Sequence, residues 1–167
     1  MTGDSFRARV DELLHGHTTL TLATWTPDGP QAAPLFFAHT WLDQDADEDR
    51  LLLYFISNPE SDHTQALVQQ PAVAAAIYQD GQDWQMIRGL QLEGMARAVR
   101  DETERQQALT AYGLKYPFVA PGLMQRDGGP LELAGPLAHS RFFAIEVDWI
   151  RLIDNTRGFG YREEMSF

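Results

Sequence analysis

The chain has 167 residues, no cysteine and a formal net charge of -11. That length predicts one domain over residues 1–167, and the lack of cysteine excludes disulfides, thiolate nucleophiles and cysteine-held metals. The negative balance argues against nucleic acid or an anionic membrane as partner, so any phosphate site must be built locally against the global field.

No run approaches the ~20 apolar residues of a membrane span, and residues 1–10 lack the apolar core of a signal peptide. A cytoplasmic location is the expectation. Asp4 to Leu14 reads as an amphipathic helix, with Phe6, Val10, Leu13 and Leu14 on one face. His15-Gly16-His17 closes it as a cap. A His-x-His pair can bind metal, but the nearby Asp11 and Glu12 stand at no familiar ligand spacing, so no metal site is predicted.

Thr18 to Thr26 alternates as a strand with one wet face. Pro27-Asp28-Gly29 turns it into a second strand over Gln31 to Thr40. Asp43, Asp45, Asp47, Glu48 and Asp49 invite comparison with a calcium loop. Glu48 and Tyr54, however, fill the positions that need glycine and a bidentate glutamate, leaving a solvated hairpin tip.

Leu51 to Ile56 is a buried strand, ended by Ser57-Asn58-Pro59 because proline supplies no ladder donor. Ser61 then stands at a helix N-cap ahead of His63, Thr64, Ala66, Leu67 and Val68. A strand that ends in polar residues facing a helix N-terminus makes a pocket for an anion such as phosphate.

Ala72 to Gln79 is a further strand. A long one follows from Trp84 to Val99, where Gly89 and Gly94 mark a bulge, a bend or a close approach. Asp101 caps a helix in a box with Glu104, Phe118 to Arg126 adds a helical turn, and Asp127 to Pro136 reads as a surface loop. Ser140 to Ile153 is the last strand. Phe159, Tyr161 and Phe167 on a non-periodic tail predict packing against something, such as a second subunit. Six strands with few helices predict a mainly β fold, a six-stranded antiparallel barrel with flanking helices.

Three segments resemble the pyridoxamine-phosphate-oxidase-related family, the FMN-binding split β-barrels. Gly29-Pro30 with Ala33-Pro34-Leu35-Phe36-Phe37 is similar to its first hairpin. Ser57-Asn58-Pro59-Glu60-Ser61-Asp62-His63 through Gln70-Pro71 resembles Thr-Asn-x-x-Ser-Arg-Lys through Asn-Pro without a gap, and Arg88 to Gly94 resembles its Arg-Ile-Glu-Gly strand. Ile87-Arg88-Gly89-Leu90-Gln91 and the terminal Asp154 to Gly160 are similar to a small bacterial branch of the superfamily.

The resemblance implies bound FMN and a homodimer with cofactor sites at its interface. It further implies a flavin-dependent oxidoreductase acting on a small molecule. Ser57, Asn58, Ser61, His63 and Thr64 fall where the family holds the flavin phosphate, although Asp62 and His63 replace an arginine and a lysine. Arg88, with Gln91 on the same strand, is the cation expected to compensate. Among Trp25, Trp41, Trp84 and Trp149, Trp84 is the favoured partner for the flavin ring. The oxidase's substrate-binding arginines and lysines have no counterpart in the apolar stretch Leu35 to Ala38, so the substrate is expected to differ. No catalytic side chain is identified. The rival reading is a non-enzymatic dimeric barrel that has lost flavin or takes haem or a deazaflavin instead.

Overall fold

The computed structural model describes residues 5–44, 48–81, 83–125 and 129–167. Helix α1 (Phe6–Gly16) starts at Ser5, whose side chain accepts from the Ala8 amide, and is followed by β1 (Thr19–Thr26) and β2 (Gly29–Phe36). Next come β3 (Ala38–Gln44), β4 (Glu48–Ser57), α2 (Asp62–Gln69), β5 (Ala72–Tyr78) and β6 (Arg88–Ala98). Helix α3 (Glu102–Lys115) leads through a short hairpin, β7 (Leu123–Gln125) with β8 (Leu131–Leu133), to β9 (Arg141–Asp154) and β10 (Arg162–Ser166).

The main sheet has eight antiparallel strands, ordered β2-β1-β5-β6-β9-β4-β3, with β10 also on β9. Its two ends, β2 and β3, are separated in the chain by Phe37 alone, so the sheet must curl until they meet. No ladder joins those ends among the described residues, and the barrel is therefore split. The long β9 carries the assembly: β4 pairs with Arg141 to Glu146, β10 takes over from Trp149 to Ile153, and β6 runs along the other edge.

Four sequence expectations change, and the six strands expected become a main sheet of eight. The second predicted strand breaks into β2 and β3 at Phe37, whose ring is fully buried and whose amide donates to Thr18 O at 3.2 Å. The strand predicted from Trp84 begins only at Arg88. The Asp83 side chain accepts from the Gln85 amide and winds Trp84–Met86 into a 3₁₀ turn. β10 escaped notice because it is an edge strand with no fully buried residue, so no alternation marks it. The tail therefore packs on its own chain, with Phe167 6.0 Å from the Trp41 ring. The loop expected at Asp127 to Pro136 contains β8. The tip between β3 and β4, with Asp45 and Asp47 of the calcium-like run, lies outside the described residues.

Strand β4 explains its unbroken apolar sequence. Leu51, Leu53 and Phe55 point into the barrel with Val10, Leu13 and Leu14 of α1, whereas Leu52 and Tyr54 face a second core under α3 with Leu109, Tyr112 and Tyr116. A strand buried on both faces needs large side chains at every position. Gly94 sits at a bulge between β6 and β9, where an added Cβ would run into the backbone of Glu146 and Val147.

Candidate functional site

The end of β4 and the start of α2 bring five of the eight expected residues together. Ser57 Oγ lies 2.7 Å from His63 Nε2 and 3.2 Å from Ser61 Oγ, and Ser61 Oγ lies 2.9 Å from Thr64 Oγ1. The turn is fixed from within: Ser61 N and Thr64 Oγ1 both donate to Asn58 O, at 3.0 and 2.9 Å, and Glu60 N donates to Asn58 Oδ1 at 2.9 Å. Asn58 thus shapes the corner, its carbonyl and its amide oxygen both taken by the turn.

Ser61 occupies the N-cap of α2 without making the side-chain cap bond. Its hydroxyl is turned into the cluster instead, leaving the first-turn amides of α2 to other partners. Burial depresses the His63 pKa below the ordinary imidazole value, against the pull of Asp62. The Asp62 side chain itself is exposed and lines a shallow groove with Asp28 and Gln31. Three hydroxyls, an imidazole and a helix N-terminus form a cradle of donors suited to phosphate oxygens, with no guanidinium or ammonium from the motif itself.

The other three expected residues lie elsewhere in the chain. Arg88 pairs with Asp154 in the β6–β9 ladder, while Ser57 pairs with Arg141 near the other end of β9; some 13 residues of β9, roughly 40 Å of extended strand, separate them. The Arg88 guanidinium is held by Glu12 at 3.1 Å and by Asp154 at 3.3 Å. Trp84 is exposed and meets Phe159 edge-on at 5.7 Å. Gln91 accepts from Arg151 at 3.1 Å beside a shallow groove of small residues, Thr21, Ala23, Ala74 and Ala76.

The two stretches that resemble the bacterial branch touch each other. Asn155 N donates to Ile87 O at 2.9 Å and Asn155 Nδ2 to Trp84 O at 2.7 Å, alongside the Arg88–Asp154 pair. Within one chain, then, Arg88 fastens the end of β9 to β6.

The cation that sequence reasoning missed is Arg141. It stands directly opposite Ser57 in the β4–β9 register, and paired residues share a sheet face. The neighbouring pair on that face, Phe55 and Phe143, is stacked with centroids 5.3 Å apart. The Arg141 guanidinium is exposed, donates to Ser140 O at 3.0 Å, and makes no ion pair among the described residues. On the opposite face of β4, Ile56 borders an apolar cavity of about 500 Å³ with Leu35, Phe36, Tyr112, Tyr116 and Phe118.

A second cluster lies where α1 meets β3. His15 and His17 do close α1, their Nδ1 atoms 2.9 and 2.7 Å from Asp11 O and Leu13 O. His15 also meets Asp11 and, from β3, His39. Burial lowers the pKa of His39 in spite of Asp11. Burial pushes Asp11 the other way, yet hydrogen bonds from His39 and Trp41 hold it below its ordinary value.

The curled antiparallel sheet and this strand-to-helix corner together define a split-barrel protein. A sequence model described as pyridoxamine 5'-phosphate oxidase matches residues 6–154, and the chain belongs to that family. The UPF0306 protein YhbP of Escherichia coli (strain SMS-3-5) is 27% identical over 114 residues, 68% of this chain and just under two-thirds (66%) of that protein. Among solved structures, the conserved protein Rv2991 of Mycobacterium tuberculosis superposes with a TM-score of 0.66 at 18% identity, covering 92% of this chain and 88% of that one. The haem storage protein HutZ of Vibrio cholerae gives 0.60 at 17% identity, covering 86% and 91%. No helix among the described residues is long and apolar enough to cross a membrane.

Proposed function

We propose that this chain binds FMN and serves as a flavin-dependent oxidoreductase whose substrate is not pyridoxamine phosphate. The observation that carries the reading is the donor cradle of Ser57, Ser61, His63 and Thr64 at the N-terminus of α2. Its hydroxyls and first-turn amides would hold the phosphate, with Arg141 swinging from Ser140 O to add the missing positive charge. The flavin, when bound, supplies hydride or electron transfer, and the protein supplies position and electrostatics. Trp84 and Gln91, remote from the cradle in one chain, would reach a flavin only from a second copy. A homodimer joined through the small-residue face around Ala74 and Ala76 is part of the proposal.

The test is calorimetric titration of the purified chain with FMN, riboflavin, a deazaflavin and haem, beside the absorbance of the protein as isolated. A yellow protein, or saturable FMN binding that raises the melting temperature, supports the reading. Asp62→Arg, which places a cation in the first turn of α2, should tighten FMN binding and leave riboflavin unchanged. Haem binding without FMN binding, or binding of neither, overturns the reading and leaves a barrel that has lost its flavin.

A further inference from the structure

Asp11 and His15 stand one helical turn apart on α1 and so share a face of the helix. His39 and Trp41, two residues apart on β3, share a face of the strand turned toward them. Asp11 Oδ1 is 2.9 Å from His39 Nε2 and Oδ2 is 3.2 Å from His15 Nδ1; the three ligand atoms lie within 4.8 Å of one another. In a tetrahedral zinc site, with bonds of about 2.0–2.1 Å to nitrogen and oxygen, neighbouring ligand atoms sit roughly 3.3 Å apart. Each imidazole nitrogen is thus already close to that distance from one oxygen of the Asp11 carboxylate, His39 from Oδ1 and His15 from Oδ2.

We infer that Asp11, His15 and His39 form a binding site for a zinc-like divalent cation, with a fourth position open to the cleft beside α3. That cleft, about 780 Å³, is bordered by His15 and His39 and by Thr103, Gln106, Gln107, Thr110 and Lys115. Two imidazoles and one carboxylate are a borderline-soft donor set, which suits zinc or cobalt better than magnesium or calcium. Trp41 Nε1 donates to Asp11 Oδ1 at 3.0 Å and orients the carboxylate, as second-layer partners of metal ligands do. His39 is almost wholly buried, so its ring is held in place, whereas His15 is exposed and can turn.

Binding replaces two contacts, the exposed one of His15 Nδ1 with Asp11 O and the hydrogen bond between His39 Nε2 and Asp11 Oδ1, by bonds to the metal. A divalent ion against one carboxylate leaves the site net positive, and Lys115 adds a cation to the same cleft. The open position therefore favours an anionic oxygen ligand such as hydroxide or a small carboxylate. The site shares no residue with the Ser57 cradle and does not depend on the flavin reading.

The experiment is titration of the chelator-stripped full chain with Co²⁺ and Zn²⁺, followed by calorimetry and by the visible absorption of cobalt. The expected result is one saturable equivalent per chain, with the intense visible bands of four-coordinate cobalt. Trp41→Phe should weaken binding about tenfold, and His15→Ala and His39→Ala by more than about a hundredfold. His17→Ala, outside the cluster, should change nothing. His15 is exposed, so its variant keeps the fold, which circular dichroism checks. No saturable uptake, or uptake unaltered in both His15→Ala and His39→Ala, would overturn the site and leave the trio as a hydrogen-bonded clamp between α1 and β3.

Discussion

Ser57 and Arg141 stand opposite each other in the β4–β9 ladder, on the face that carries the stacked rings of Phe55 and Phe143. Directly opposed residues of an antiparallel pair have Cβ atoms about 5 Å apart, within easy reach of an arginine fork. With Asp62 exposed and Arg88 engaged by Glu12 and Asp154, Arg141 is the cation best placed to face a phosphate at Ser57. A hydrogen bond to a charged group contributes about 1.5–3 kcal/mol, which corresponds to about 10- to 150-fold in affinity. Arg141→Ala should therefore weaken FMN binding by that factor and leave riboflavin binding unchanged, as fluorescence titration of the two flavins would establish. Equal loss for both flavins would mean that Arg141 supports the fold, not the phosphate.

The same cradle should make FMN binding depend on pH through His63. In the free protein burial holds its pKa below the ordinary imidazole value, so the ring is neutral at neutral pH. A phosphate beside it favours the imidazolium and raises that pKa. Between the two pKa values the complex holds more protons than the free protein, so affinity should rise as pH falls through the pKa of the complex, by at most about tenfold per unit. Below that, protonation of the phosphate itself, with a second pKa near 6, works against binding. Calorimetry at several pH values should reveal this slope with FMN, and neither riboflavin nor His63→Gln should give it. Without ligand, the depressed pKa has the opposite consequence for folding. The unfolded chain binds the proton more readily, so His63 lowers stability as pH falls below about 6.5.

The contrast between Ser57 and Arg141 also marks where sequence reading ends. Ser57, Ser61, His63 and Thr64 lie within eight consecutive positions, so a strand end and a helix cap suffice to bring them together. Arg141 reaches Ser57 only through the register of two strands far apart in sequence, and the His15–His39 meeting likewise depends on how α1 packs against β3. β4 was legible because both of its faces are buried, and β10 was not because none of its residues is fully buried. Arg88 shows how much one stretch of sequence can carry. Its motif resembles part of a flavin site, and within one chain Ile87 and Arg88 bind Asn155 and Asp154, a contact between two recognisable motifs that only the fold reveals.

Two glycines should respond oppositely to the same substitution. A Cβ at Gly94 would meet the Glu146 carbonyl carbon at 2.9 Å and Val147 Cα at 3.1 Å, both backbone atoms of β9 that cannot step aside without opening the bulge. Gly94→Ala should cost about 3 kcal/mol or more, lowering the melting temperature by roughly 6–12 °C. Gly113, within α3, has no atom within 4 Å of an added Cβ. Gly113→Ala should stabilise by up to about 1 kcal/mol, because alanine replaces the residue least suited to a helix after proline. Thermal melts of both variants test the pair, and a tolerated Gly94→Ala would mean that the β6–β9 bulge is softer than its geometry implies.

Tyr54 carries a fully buried hydroxyl with no hydrogen-bond partner among the described residues. Burial, with Glu104 adding to it, pushes its pKa up to about 12, so the group stays a neutral phenol throughout the working range. The ring packs in the core under α3 with Leu52, Tyr112 and Phe142, contacts that a phenylalanine would keep. The hydroxyl thus incurs the desolvation cost of a polar group, about 1–3 kcal/mol, without a compensating bond within the protein. Tyr54→Phe should therefore leave the fold unchanged and raise stability by about 1 kcal/mol in chemical denaturation, with an unaltered denaturant slope. Destabilisation by a similar amount would instead show that a bound water or another group satisfies the hydroxyl.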